Sequence, residues 1–488
     1  MNFYLNISDY PDFLTAGDWR RRVALIMALC AITGLVEPPC VRAAAMLFPN
    51  GQRQPGELGA GLGGAHTALA RGPEAGWYNP AGMALDADTV IVAGSDLVIF
   101  RETRLGGQRT RQVGNGSGFL GFTSSIGDKR ENRGLSYGLF LSWPASLENR
   151  TRSARVDRIE INDVPSIIDP GGLDFIGNRI DRVRSTSGQG GLHVLSTGAG
   201  FGYAFSPNVR FGLVAEWERV SYLQRSEWLT TYNVDSGSGA ADSYQAIVHA
   251  TAEFAGTADR TVISGGIQAD FFRFLTVGIS ARLPSQLQGG RGRYFMRQTS
   301  SVDLRSSAAE NETRFDRILI EEKGIPFELR SPLVIHLGLG FAGQTGSFEV
   351  DIIRITGVGK YTVLPLTESE PPSTTAYRPP PFRTRGKSEL LWAAGLSLSL
   401  SATSTFLFGM RTDKSTVPGN DPVFRSIDLF AMTGSWLYTR GAFSASLGTE
   451  YMFGSRSVRF PSPLGDETDK RKVDYEELAL RVSGGFVF

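Results

Sequence analysis

Glycines Gly59, Gly61 and Gly64 form a G-x-G-x-x-G pattern, and carboxylates Asp86 and Asp88 follow about twenty residues later. That is the spacing with which a dinucleotide-binding turn cradles a pyrophosphate and then holds a ribose. The chemistry requires a buried strand before the glycines and a full crossover helix behind them. Here FPNGQRQPGEL precedes them, rich in Pro and Gly, and AHTALAR offers about two helical turns before Gly72-Pro73 ends them. The fingerprint fails on its context, so no nucleotide cofactor is expected. The four histidines, His66, His193, His249 and His336, stand apart from one another, none at metal-ligand spacing. There is no G-x-S-x-G elbow, and no histidine lies two residues before a serine, as it does in barrel phospholipases. The residues therefore predict no enzyme, no metal and no cofactor.

The elements that position these residues read as β-structure. Glycine is abundant (58 residues), aromatics make up 10%, hydrophobics are only 41%, and the formal net charge is +1, which gives no global reason to bind nucleic acid. From about Thr89 the chain alternates with period two: Leu396, Leu398 and Leu400 against Ser397, Ser399 and Ser401, and Leu478, Leu480 and Val482 against Arg481 and Ser483. A soluble sandwich would give the same alternation. Connection lengths separate the two. About fourteen strands are predicted, starting near Val90, Phe119, Leu135, Val194, Val209, Val262, Phe274, Leu333, Ser347, Leu391, Thr405, Ile427, Ala442 and Glu476. Tight turns such as FSPNVR, DFFRF, AGQTGS, SATST and YTRGA alternate with long polar segments at 146–190, 225–260, 296–325, 362–388 and 412–425, expected to be loops. An even strand count with short turns at one rim and long loops at the other indicates an outer-membrane antiparallel β-barrel. Trp143, Trp217, Trp228, Trp392, Trp436, Tyr438 and Tyr451 are placed for interfacial girdles.

The N-terminus reads as an export signal. Arg20-Arg21-Arg22 precede the apolar run Val23 to Val36, and EPPCVRAAA offers a small-residue cleavage site near Ala45. Residues 1–45 are expected to be removed, and with them Cys30 and Cys40, leaving no disulfide. At the other end, Phe486 and the terminal Phe488 close an amphipathic strand as a barrel-assembly signal.

The stretch GLGGAHTALARGPEAGWYNPAGMA, with its Asn79-Pro80-Ala81, resembles the N-terminal hatch of the FadL/TodX family of Gram-negative outer-membrane transporters for hydrophobic compounds. SPLVIHLGLGFAGQTGSFEVDIIRI (331–355), LFGMRTDKSTVPGN (407–420) and IDLFAMTGSWLYTRGAFSASLGTEYMFG (427–454) follow in the family's order, so that the likeness spans about residues 46–488. It implies a barrel of fourteen strands over 89–488, plugged by a hatch at 46–88, which passes long-chain fatty acids or aromatics passively and releases them sideways into the bilayer.

Asn79, Pro80 and Ala81 would then act at the gate, Asn79 accepting from backbone N–H groups and Pro80 starting a helical turn. Gly59, Gly61, Gly63 and Gly64 would pack the hatch against the wall. Pro144, unable to donate to a ladder, would mark the lateral opening with Trp143 and Ala145. Met46, Leu47 and Phe48 would reach the binding pocket. Arg101, Arg104, Arg109, Arg111, Arg150, Arg152, Arg155 and Arg158 would attract a fatty carboxylate or, on the favoured reading, face lipopolysaccharide phosphates or solvent, and the barrel-assembly machinery inserts the chain as a monomer. A related barrel used as a scaffold or secretion partner, and a hydrophilic porin, are the alternatives.

Overall fold

The computed structural model describes residues 54–85, 89–105, 108–114, 116–126, 134–160, 179–235, 243–305, 312–366, 382–416, 427–461 and 468–488. The export signal, Cys30, Cys40, Asp86, Asp88 and Met46-Leu47-Phe48 lie outside them.

Fourteen antiparallel strands form a closed barrel. They are β1 (Val90–Leu105), β2 (Gly118–Ile126), β3 (Leu135–Glu160), β4 (Arg179–Ser206), β5 (Val209–Asp235), β6 (Ser243–Phe272) and β7 (Leu275–Arg282). The ring continues with β8 (Val334–Ala342), β9 (Gly346–Ile355), β10 (Glu389–Ser401), β11 (Ser404–Asp413), β12 (Leu429–Arg440), β13 (Phe443–Pro461) and β14 (Thr468–Val487). Each pairs with its neighbours in sequence, and β14 returns to β1 with Val487 opposite Val90. Ring closure leaves no edge with unpaired backbone groups, the condition for crossing a bilayer with strands.

The faces settle membrane barrel against sandwich. Along β5, Phe211, Leu213 and Trp217 are exposed while the alternate Glu216 and Glu218 are buried. The same inversion places Ile263 and Ile267 of β6 outside, and Arg260, Ser264 and Gln268 inside. Apolar side chains facing out and charges facing in suit lipid outside and a polar lumen within. Trp217, Trp392, Trp436 and Tyr451 are all on the exposed side.

The tight turns share one rim, as expected. The long polar segments differ from expectation, because β3 to β6 run for 26, 28, 27 and 30 residues, where about ten suffice to span the bilayer. Much of 146–190 and 225–260 is therefore strand. Strands Gln286–Arg305 and Glu312–Pro326 pair with each other, the first also with the outer half of β6. Beyond the apolar band both faces of a strand are wet, so the alternation that marks a strand in sequence vanishes.

Leu213 sits midway along the exposed apolar stretch of β5, so Leu213→Arg should destabilise the barrel by about 2–4 kcal/mol, read as a lowered denaturant midpoint for the protein folded into lipid vesicles.

Candidate functional site

The lumen is occupied by the segment from Gln54 to Leu85, nearly all of it buried. It folds as helix Leu58–Gly61, helix Gly72–Tyr78 and the 3-10 helix Pro80–Leu85. Such short helices leave many N–H groups without intrahelical partners, and side chains supply them. The Glu74 carboxylate accepts from the backbone N–H groups of Glu57, of Leu58 at 3.1 Å and of Gly59 at 2.9 Å. Tyr78 donates to the Pro55 carbonyl at 2.9 Å and meets the His66 ring edge-on at 5.3 Å. Burial holds His66 down at about 3, so the ring is uncharged. The Asn79 Oδ1 accepts from the Ala81 N–H at 3.2 Å as the 3-10 helix starts at Pro80. Its Nδ2 donates to the Thr67 carbonyl at 2.8 Å and to the Ile267 carbonyl of β6 at 3.1 Å, so Asn79 ties two parts of the segment to the wall.

The wall answers with carboxylates. Asp351 Oδ2 accepts from the N–H groups of His66 and Thr67, at 3.0 and 3.1 Å, and from the Thr67 hydroxyl at 2.7 Å. Glu349, two residues earlier on the same face of β9, accepts from the N–H groups of Ala68 and Leu69. Ser280 donates to the Tyr78 carbonyl at 2.8 Å, Gln268 to Ala70 at 3.1 Å and Thr433 to Gly61 at 2.7 Å.

Glycines on both sides allow this close approach. A Cβ on wall residue Gly409 would fall on the Gly63 amide nitrogen, and one on Gly212 on the Pro80 carbonyl. Within the segment, a Cβ on Gly59 would strike the Tyr78 ring, and one on Gly61 the Leu407 side chain. Gly63 and Gly64 have φ of +67° and +91°, where a side chain is strained.

Above this contact lies a layer of ion pairs. Arg282 bridges Glu216 at 2.9 Å and Glu218 at 2.5 Å, and Arg260 pairs with Glu218 at 2.6 Å. The Arg282 guanidinium also lies 5.0 Å from the Trp77 ring of the inner segment. Across the lumen Arg481 joins Asp96 at 2.8 Å to Glu450 at 2.9 Å, and Glu450 also holds Arg411. Arg260 donates to the Leu329 carbonyl at 3.0 Å, and Leu329 packs against a buried apolar cluster around Tyr222, Phe254, Tyr294, Met296 and Phe327. Ring centroids there are 5.1 Å apart for Tyr222–Phe254 and 5.9 Å for Phe254–Phe327.

At Trp143 the wall changes. β2 begins at Gly118, opposite Trp143, whose indole lies over the Gly118 Cα. The β3–β4 register shifts between Ser142 and Ala145, so Pro144 falls inside β3 at an irregularity. β1 bulges nearby, between Asp96 and Val98. Asp96 accepts there from the Ser117 N–H at 3.0 Å and its hydroxyl at 2.7 Å, and farther out β1 takes Gln108–Gly114 as its partner instead of β2.

The fold thus brings Asn79, Pro80, Ala81 and the glycines 59, 61, 63 and 64 together in the lumen, with Trp143, Pro144 and Ala145 in the wall. Phe486 stacks on Phe488, whose N–H donates to the Thr89 carbonyl at 2.8 Å beside the barrel seam. Among the expected arginines, Arg101 faces inward and pairs with Glu477, and Arg104, Arg109 and Arg111 converge on Glu102. Sequence reasoning missed Glu74, Glu349, Asp351, the Glu216/Glu218 pair and the wall glycines. A signal for two of them exists in FEVDI, where acids occupy alternate positions of an otherwise apolar strand.

No family model and no curated protein matches the chain. Among solved structures it is similar to the Pseudomonas putida toluene transporter TodX, at 12% identity over 89% of this chain and 98% of that one, with a TM-score of 0.52. A Pseudomonas aeruginosa FadL homologue is similar at 10% identity over 91% and 99%, TM-score 0.54. The Ralstonia pickettii toluene transporter TbuX is similar at 13% over 89% and 98%, TM-score 0.51. The chain therefore has the FadL/TodX fold, a closed barrel of fourteen strands, as the resemblance implied.

A methyl group at Gly409 meets backbone, whereas one at Gly434 has its nearest neighbour 4.0 Å away. Gly409→Ala should cost about 1–3 kcal/mol, and Gly434→Ala much less, in paired denaturant titrations. Burial and the Glu74 charge push Glu57 up to about 7 from 4.5. Folding therefore favours its protonated form, and the stability it contributes is present below pH 4.5 and lost as pH rises through 7. Protease resistance of the inner segment should fall over that window, and Glu57→Gln should flatten the dependence.

Proposed function

We propose that this chain is a passive channel for hydrophobic compounds in the outer membrane of a Gram-negative bacterium. Residues 46–88 act as its hatch, and cargo leaves sideways into the bilayer beside Trp143, Pro144 and Ala145. The observation that carries this reading is the wall at Trp143. A barrel whose lumen is filled below needs another way out, and there the β3–β4 ladder shifts register and β2 only begins, at Gly118 opposite Trp143. The buried aromatic cluster is the apolar surface that cargo would meet inside the long-loop rim before it reaches the ion-pair layer. Asn79-Pro80-Ala81 sits where a shift of one short turn would alter both the segment's hold on β6 and its packing.

TodX and TbuX are toluene transporters, and long-chain fatty acids are the cargo the family resemblance suggests. Both are hydrophobic, and they differ in whether the molecule carries a carboxylate. In this reading residues 1–45 are the export signal, Phe486 and Phe488 address the chain to the barrel-assembly machinery, the exposed arginines around Glu102 meet lipopolysaccharide, and the chain works as a monomer.

The test is accumulation of labelled toluene and labelled oleate by a Gram-negative host that lacks its own transporters and expresses this chain, with outer-membrane assembly checked by heat-modifiable migration. Uptake of at least one above the empty-vector level is expected. Pro144→Val, which restores a backbone donor at the irregularity, should return uptake to the vector level in an assembled barrel. No uptake of either compound by an assembled barrel would remove the transport reading.

A further inference from the structure

The lumen holds more acidic side chains than basic ones. Among the described residues, ten carboxyl groups are buried against five guanidiniums, and no lysine is buried. Each of those arginines is ion-paired: Arg101 with Glu477, Arg210 with Asp270, Arg260 with Glu218, Arg411 with Glu450, and Arg481 with Asp96 and Glu450. Arg282, nearly buried, is shared between Glu216 and Glu218. Glu74, Glu349 and Asp351 are met by backbone N–H groups of the inner segment and not by arginines.

An ionised head group entering this space meets guanidiniums already engaged by carboxylates. It would give up its water without gaining a free cation, and burying an uncompensated charge is costly. The chain's own carboxyl at Glu57 shows the cost of burying such a charge elsewhere in the lumen, since burial first and Glu74 second push it up to about 7. An uncharged apolar molecule bears no such cost, and the aromatic cluster offers it apolar contact.

Resting on the transport reading above, we infer that the lumen is a charge filter. It admits uncharged apolar molecules and rejects their carboxylates, with Glu216 and Glu218 as the residues that set this preference. These two occupy the deciding position. Arg260, held by Glu218, is bonded to the Leu329 carbonyl at the base of the aromatic cluster, and Arg282, held by both glutamates, lies over Trp77. Cargo moving from the cluster toward the inner segment passes this layer. With both glutamates neutral, Arg260 and Arg282 would present two uncompensated guanidiniums at the same place.

The experiment is equilibrium binding of labelled 1-dodecanol and labelled dodecanoate to the full-length barrel in a non-ionic detergent, at low salt and mildly alkaline pH. The wild type should bind dodecanol, and dodecanoate at least about tenfold more weakly. E216Q/E218Q should bind dodecanoate more tightly than the wild type does and lose that gain at high salt. Equal or tighter wild-type binding of dodecanoate overturns the filter while leaving the transport reading in place, and failure to bind either ligand overturns both. No gain of dodecanoate binding in an assembled double variant removes the assignment to Glu216 and Glu218. Where the double variant does not assemble, E218Q is read in its place, and the wild-type preference decides the filter independently.

Discussion

A segment of chain enclosed by a β-barrel must find partners for its backbone N–H groups, since the strands around it have spent theirs on one another. Here two carboxylates on one strand meet part of that need. Asp351 and Glu349, side by side on β9, accept from four consecutive residues, His66 to Leu69, while Glu74 serves Glu57, Leu58 and Gly59 from within the segment. The rest of the lumen is arranged around those grips. Glycines clear the wall where the segment touches it, Asn79 fastens its far end, and the excess of acid inside the barrel follows in part from using carboxylates as acceptors.

The wall divides into zones along its height. The half near the tight turns has an apolar exterior and a filled interior, and is built of strand positions that must be small or polar on one face and apolar on the other. The outer half carries the aromatic cluster, supported by strands far longer than a bilayer requires. Between them lie the Arg–Glu pairs, which join β4 through Ser196, β5, β6 and β7 to one another, and to the inner segment at Trp77. Asp96 links the seam of the barrel to its irregular wall, since it holds both Arg481 of β14 and Ser117 just before β2.

What the sequence made legible is set by where each residue's partner lies. Strands bounded by lipid on one side and lumen on the other announce themselves, as Leu396 to Ser401 do. The polar stretches at 146–190, 225–260 and 296–325 read as loops because nothing in their surroundings separates one face from the other, yet much of each is strand. Asn79-Pro80-Ala81 was readable because capping is local. The grips were not, because Glu349 and Asp351 stand 280 or more residues from the N–H groups they hold, and alternation alone does not say which inward acid meets which backbone. The wall glycines were hidden for the same reason. A glycine in a strand reads as a weakness until the chain that presses on it is known.

The inner segment touches walls on opposite sides of the ring, at Gly212 and Gly409 among others, with hardly an atom to spare. With glycine at these positions the wall stands as close to the segment as backbone allows, so the ring is fitted to its contents with no slack for a side chain. The segment runs directly into β1, the strand that closes the ring against β14. Filling the lumen and closing the ring are therefore the work of adjoining stretches of one chain.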